Sequence, residues 1–500
     1  MIQSKRGAGD SEIGDFGNLF CVIFWSIFCA TLKRERPEEF LLFPGNKTGL
    51  FGIIKWGVIF LFRHRTNTEA VLGNFQYGRF YREFSPRVAT MKTISFSYHS
   101  ARMGRRLATA LFVLGLQLSL AGFPVGSLRA AGENDERNAF TWKNLQSDIA
   151  GVADRTDSNL VNSWGLVINP TAKVFWIADN GTGVSTLYRP DGTPVLLGQS
   201  GQNFVTLPPT LVDTATPPAV PTAAPTGIVF NNPATNAFLI PLTNNPAVFL
   251  FDGEDGGIWG WNPGVDLLTA TLIVKPSSTD AKKNSVYKGL ALANRTGVKT
   301  GGPTLYATNF RNGTVDVFDS SFKLVTTFVD PNPPAVPPST KSPGWAPFGI
   351  ATIDNLLYVT FALQNAAKHD DVAGPGNGFV DVFSPDTGFV TRLIQFTDMT
   401  GPLNSPWGLA RVPEHEHFGR FNDEVLLVGN FGDGHINAFD IHSGAFLGTL
   451  LHRKGQPLEF NGLWALFFLK DQLYFTAGIV DEAHGLFGFI HLQENENSDD

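Results

Sequence analysis

His369-Asp370-Asp371 is the densest group of reactive side chains in the chain, set in the segment Gln364–Asn377. A histidine beside two carboxylates can bind a divalent cation or move a proton, because imidazole titrates near neutrality and carboxylate oxygens are hard ligands. These three are the candidate catalytic residues. Asp179, Asn180 and Asp370 are candidate metal ligands, since Asp and Asn oxygens suit Ca2+ and its about six to eight oxygen contacts. Asn162, Asn309, Asn430, Asn461 and Asp481 are candidates for a ligand-binding rim. Turn chemistry competes with each of these readings. Asn180-Gly181, Asn312-Gly313 and Asp433-Gly434 are the pairs that tight hairpins require. Glu414-His415-Glu416-His417 offers metal-ligand residue types without a partner at a recognised spacing, and reads as a solvated turn. A nucleophile elbow, a phosphate-binding Walker loop and a dinucleotide fingerprint are all missing from the sequence. Gly374–Gly378 is glycine-rich, but Pro375 and the lack of a helical pattern after it argue against a phosphate cradle.

The elements that would hold these residues come from a repeat. Six short apolar runs each carry a glycine: Trp164-Gly165-Leu166, Thr226-Gly227-Ile228, Lys288-Gly289-Leu290, Phe348-Gly349-Ile350, Trp407-Gly408-Leu409 and Asn461-Gly462-Leu463. The glycines lie 62, 62, 60, 59 and 54 residues apart. Each run leads to a second apolar stretch: Val174–Ala178, Phe238–Ile240, Leu305–Thr308, Leu356–Phe361, Val425–Val428 and Leu473–Thr476. Alternating segments follow, as in Thr314–Asp319, Phe379–Phe383 and His435–Asp440; period-two alternation marks half-buried strands. Lys323–Phe328, Val390–Phe396 and Phe446–Leu451 supply a fourth strand. A four-stranded antiparallel unit repeated six times predicts an all-β, six-bladed β-propeller, whose circular closure removes exposed sheet edges. The last repeat stops one strand short after Gly485–Leu492, so Ala139–Leu145 is expected to close the last blade from the N-terminal side. Leu207–Pro225 and Pro331–Pro347 are too proline-rich for central strands and read as surface loops between repeats, suited to building a rim.

Outside the repeat the chain changes character. Residues 1–131 hold 17 Lys/Arg against 8 Asp/Glu, and the remainder holds 21 against 37, a net charge of −16 that disfavours nucleic acid. Cys21 and Cys29 both lie in the first part, so the propeller needs no disulfide. Residues 103–131 pair Arg105-Arg106 with an apolar stretch, Leu107–Phe123, and small residues after it, the pattern of a secretory signal peptide. Residues 1–102 carry two apolar runs, Leu19–Leu32 and Gly49–Phe62, neither long enough for a membrane helix, and read as a spurious or disordered extension. The expected organisation is therefore an extension (1–102), a signal (103–131), a propeller (138–492) and an acidic disordered tail (493–500). Secretion or a periplasmic location, no stable membrane span in the mature chain and a monomeric state follow as expectations.

Four segments, Asn159–Asp179, Asn309–Asp319, His369–Phe383 and Gly429–Asp440, resemble an uncharacterised family of exported bacterial β-propeller proteins. Some members of that family carry a PEP-CTERM sorting tail. The resemblance runs from about Phe140 to Ile490 and implies fold and export, but no activity. Glu494–Asp500 is acidic and lacks the Pro-Glu-Pro signal, so sorting by that tail is not expected. The strand grammar is also loosely similar to NHL-type and gluconolactonase-like propellers, a likeness of fold. The function read from the sequence is a binding or scaffold module with a ligand site on the channel rim. Its partner would be a small molecule, a polysaccharide or a protein. The alternative is a Ca2+- or other divalent-metal-dependent hydrolase of the lactonase type; a quinone-dependent dehydrogenase finds no cofactor signature.

Overall fold

The computed structural model describes residues 41–45, 49–54, 57–63, 68–73, 139–210, 223–276, 283–297, 301–396 and 401–493. The signal-like segment 103–131, the run Leu19–Leu32 and the tail 494–500 lie outside the described residues. The chain divides into two compact units, 1–124 and 125–500. In the first, Leu41–Gly45, Gly49–Ile54, Gly57–Arg63 and Thr68–Gly73 pair as an antiparallel meander. The apolar run at Gly49–Phe62 is thus two paired strands rather than one continuous segment. Among the described residues, no helix is long and apolar enough to cross a membrane.

The second unit is a six-bladed β-propeller. Blade 1 runs Ser163–Asn169, Val174–Asp179, Val184–Tyr188, Phe204–Thr206. Blade 2 runs Pro225–Phe230, Phe249–Gly253, Ile258–Trp261, Thr271–Val274. Blade 3 runs Tyr287–Arg295, Gly302–Asn309, Thr314–Phe318, Leu324–Phe328. Blade 4 runs Trp345–Ile353, Leu356–Leu363, Phe379–Ser384, Gly388–Ile394. Blade 5 runs Pro406–Arg411, Val425–Asn430, Ile436–Asp440, Phe446–Thr449. Blade 6 takes Leu463–Leu469, Gln472–Ala477 and Leu486–Leu492 from the end of the chain and Ala139–Ser147 as its outer strand. Each inner strand packs on the inner strand of the next blade, and blade 6 packs on blade 1. Phe140, stacked on Phe418 at 4.6 Å, and buried Leu145 anchor the closing strand.

The repeated glycine marks a bulge. The pairing of inner and second strands slips between Ser163 and Leu166, Pro225 and Ile228, Tyr287 and Leu290, Pro347 and Ile350, Pro406 and Gly408, and Leu463 and Leu466. Blade-to-blade contact at the bulge is too close for a side chain. A Cβ on Gly349 would sit 2.0 Å from the Trp407 carbonyl oxygen, and one on Gly408 would sit 2.4 Å from that of Trp464.

Two sequence assignments change. In blade 6 the bulge falls at Trp464-Ala465, not at Asn461-Gly462-Leu463; Gly462 sits in the preceding turn at φ +67°. The repeat is therefore more even, with Ala465 following Gly408 by 465 − 408 = 57 residues. In blade 2 the second strand is Phe249–Gly253, not Phe238–Ile240. Asn236, Phe238 and Leu242 all have positive φ, which breaks an extended run. Phe238 instead donates its N–H to the Ser320 carbonyl at 2.9 Å and buries its ring against Phe322, tying that loop to blade 3.

Candidate functional site

The bulge directs one residue per blade toward the axis: Trp164, Thr226, Lys288, Phe348, Trp407 and Trp464. Aromatic contacts join four of them across the ring. Trp164 stacks on Trp464 at 3.4 Å and meets Trp407 at 6.1 Å and Phe348, from the opposite blade, at 6.5 Å. These rings plug the channel and divide it into two mouths.

Lys288 is the charged member of that ring. Its ammonium lies 5.0 Å from the centre of the Trp164 ring, a cation–π distance, and pairs with Glu254 of blade 2. Asp370 Oδ1 is 3.6 Å away. Burial opposes the charge on Lys288, but Glu254, Asp370 and Asp371 together outweigh it and raise its pKa. His369 Nδ1 sits 2.6 Å from Asp370 Oδ1 and 3.9 Å from Glu254 Oε1. The His369 hydrogen bond, with the Lys288 charge, holds Asp370 down at about 2 against its partial burial. Asp371 is pushed up by burial, against the opposing effects of the Ser405 hydroxyl and the Lys288 charge.

Amides and a further acid complete this mouth. Asn180 donates to Glu254 Oε2 at 2.9 Å, and Asn162 donates to Glu482 Oε2 at 2.8 Å. Trp464 Nε1 donates to Asn162 Oδ1 at 3.2 Å, linking the plug to the mouth. Burial, and then the charge of Glu254, push Glu482 upward against the Asn162 hydrogen bond. The His369 loop is pinned from within and from outside: Asn365 N–H donates to the Asp370 carbonyl at 2.7 Å, and Gly374 N–H to Asn404 Oδ1, before blade 5, at 2.6 Å.

The residues singled out from sequence divide clearly. His369, Asp370, Asp371, Asn162 and Asn180 meet at this mouth. Asp179 is fully buried within blade 1, its oxygens taken by Ser163 and by Thr186. Asn309 is buried and donates to Ser285 and Asp316. Asn430 is buried and donates to Asp433 and the Pro402 carbonyl. Those three side chains pin strand ends within their own blades. Asn461 and Asp481 are exposed. Glu414–His417 lies in the connection from the inner to the second strand of blade 5, with Glu414 at the opposite mouth.

Sequence reasoning passed over Glu254 and Lys288. The available signal was register: Lys288 holds a position that is Trp, Thr, Phe, Trp and Trp in the other blades.

Glu254, His369 and Asp370 each offer an atom within 4.8 Å of the others, a spacing that could hold a metal ion. The donor set fits one poorly. The Lys288 ammonium is bound to Glu254 and faces Asp370, so a cation already stands where a divalent ion would be drawn.

Fold and mouth together define a six-bladed β-propeller with a plugged axis and an ionic cluster over one end. No family model matches the chain. It is 31% identical over 363 residues to uncharacterized protein R648 of Acanthamoeba polyphaga mimivirus, covering 71% of this chain and 81% of that protein. It is also 31% identical over 368 residues to uncharacterized protein L690 of the same virus, covering 71% and 87%. The chain belongs to the family of these proteins. These relatives are viral, and they lend no support to the bacterial origin, sorting tail or export of the family that the sequence resembles. Solved structures similar to it include a glucose dehydrogenase (14% identity, TM-score 0.41, covering 71% of this chain and all of that one). Another is the gluconolactonase XC5397 from Xanthomonas campestris (13% identity, TM-score 0.36, covering 66% and 87%). At those values neither likeness carries an inference about activity.

Proposed function

We propose that the protein is a binding module that holds a compact polar molecule, rich in hydroxyl or amino groups, at the ionic mouth of the channel. The observation that carries this reading is the convergence of Lys288, Glu254, His369 and Asp370 from three blades over one aromatic floor. His369 has spare capacity at this mouth: its side chain is 37% exposed, and among the described residues its Nε2 has no hydrogen-bond partner. Four carboxylates, Glu254, Asp370, Asp371 and Glu482, surround one ammonium, which disfavours an anionic ligand. Carboxylates and an imidazole suit a molecule that donates hydrogen bonds, as sugars, polyols and amines do. A thermal-shift panel of sugars, polyols, amines and organic anions on the full chain, followed by calorimetry, tests it. A sugar, polyol or amine should stabilise the protein, and Glu482→Gln or His369→Ala should weaken that binding about tenfold or more. Stabilisation by anions alone, or by nothing in the panel, overturns the reading. A polysaccharide ligand would show as affinity rising with oligosaccharide length.

The second reading, a divalent-metal-dependent hydrolase, is supported by the spacing of Glu254, His369 and Asp370. Metal retained by the wild-type protein and lost in Asp370→Asn, with lactone turnover, would establish it over the first. Export through the signal-like segment 103–131 is part of the proposal, and N-terminal sequencing of the mature protein tests it.

A further inference from the structure

On the far side of the plug the channel opens as a cavity of about 630 Å3. That volume lies within the range of small-molecule sites. Its wall repeats sixfold: Leu166, Ile228, Leu290, Ile350, Leu409 and Leu466 each follow the bulge of their blade. Trp407 closes the inner end. Each inner strand is the last strand of its sheet, so the row of N–H and C=O groups facing the axis has no strand partner. The walls thus alternate aliphatic side chains with backbone hydrogen-bonding groups. At the opening Arg411 is neutralised by Asp354 at 2.5 Å and donates to the Asp423 carbonyl at 2.7 Å. Glu414 is exposed beside them and leaves this mouth with an excess negative charge.

We infer that this mouth is a second binding site, for an uncharged molecule with an alicyclic apolar body bearing a hydroxyl or keto group. The apolar body would displace water from the six aliphatic side chains, which offer it no hydrogen bonds. Its oxygen would bond a strand edge. The excess carboxylate disfavours an anion, and Arg411 is already committed. None of these residues belongs to the ionic cluster, so the inference stands apart from the function proposed for the other mouth.

Fluorescence titration of the full chain with N-phenyl-1-naphthylamine, an uncharged apolar dye, tests it. The expected result is saturable enhancement at a single dye per chain, reversed by 1-adamantanol. Leu290→Trp enlarges one of the six side chains of the cavity wall and should weaken dye binding about tenfold or more. Glu482→Gln, on the opposite mouth, should leave it unchanged. If Leu290→Trp fails to fold, Ala351→Leu makes a smaller intrusion into the same wall and should weaken binding in the same direction. Non-saturable uptake, or undiminished affinity in the folded filled variants, would overturn the inference. Either result would place the dye on exposed outer-strand residues such as Leu324 and Phe446.

Discussion

The two mouths of one channel are built from the same six strands on opposite principles. The far mouth is made by repetition, one Leu or Ile from each blade at the same strand position. The near mouth is made by exceptions. Lys288 replaces an aromatic or Thr, Glu254 stands in a loop where blade 1 has Asn180, and His369-Asp370 sits in the extended loop of blade 4. Repetition secures closure of the ring, because every blade must present the same bulge to its neighbour. The exceptions carry the charge, and they occur where connections between strands are free to vary.

The largest effect expected from breaking this contrast comes from Lys288→Met. The substitution keeps the side-chain length and leaves Glu254 without its cation. Losing one partner of a buried ion pair costs about 3–5 kcal/mol; Lys288 is 2% exposed, and its carboxylate partner is largely covered. Chemical denaturation should show most of that loss, and the double variant Lys288→Met/Glu254→Gln should recover the larger part of it. The single variant should also gain affinity for a divalent cation at Glu254, His369 and Asp370, read by calorimetry with Mn2+. Equal cation affinity in wild type and variant would show that Lys288 does not fill the site.

Next in size is a change to the repeated element. Gly349→Ala brings a Cβ to 2.0 Å from the Trp407 carbonyl oxygen, backbone that can move only by separating two blades. A cost of about 2–3 kcal/mol is expected, as for other overpacked interiors. The reverse change in blade 6, Ala465→Gly, should cost only about 1 kcal/mol or less, because that bulge already accommodates a Cβ. Similar melting temperatures for the two variants would mean that the Gly349 bulge tolerates a Cβ as well as the blade 6 bulge does.

The same division explains what could be read from the sequence. Strand alternation and the glycine spacing were legible because six copies corroborate one another. The incomplete sixth repeat also pointed to Ala139–Leu145 as the closing segment, and the strand that closes the ring is Ala139–Ser147. Misreading the sixth opening at Gly462 came from weighting glycine over tryptophan. Trp464 shows the function of the position, which is to fill the axis, and Ala465 shows that glycine is not obligatory beside it. In blade 2, Phe238 and Ile240 are apolar because they anchor a loop in the core, and burial alone does not distinguish a loop from a strand. At the near mouth, His369-Asp370-Asp371 was visible because its members are adjacent. Lys288 and Glu254 are 34 residues apart and meet only through the fold. Asp179, Asn309 and Asn430 were chosen for residue type, but each ends a second strand and turns back into its own blade, bonding to neighbouring strands or, for Asn430, to the adjoining loops.

Beneath the near mouth, Asp252 gives the contrast a pH dependence. Its Oδ1 accepts from Gly227 N–H at 2.7 Å and Thr226 Oγ1 at 3.0 Å, while Oδ2 is buried without a partner. Burial raises it to about 7, and Asp255 nearby to about 6. A carboxyl raised by folding is favoured in its protonated form. Its contribution is complete below the unfolded value, near 4, and is lost as pH rises through the folded value. Stability should therefore increase when pH falls from 8 to 5, by on the order of 2 kcal/mol from Asp252. Asp252→Asn, which imitates the neutral acid, should flatten much of that slope in thermal melts recorded across the range. An unchanged slope would place the titration elsewhere.

The smallest effect separates two neighbours in one loop. Asp481 is exposed at φ +51°, and among the described residues its side chain has no hydrogen bond or ion pair. Asn tolerates that backbone conformation as well as Asp does. Asp481→Asn should therefore change stability by less than about 0.5 kcal/mol and leave ligand affinity at the near mouth unaltered. Glu482, one residue on, is turned inward to accept from Asn162 and feels the charge of Glu254. Glu482→Gln should weaken binding while barely shifting the melting temperature, because a neutral amide oxygen can still accept the Asn162 hydrogen bond. If the two variants bound ligand equally well, the inward side of this loop would not belong to the site, and the near mouth would shrink to Lys288, Glu254 and the His369 loop.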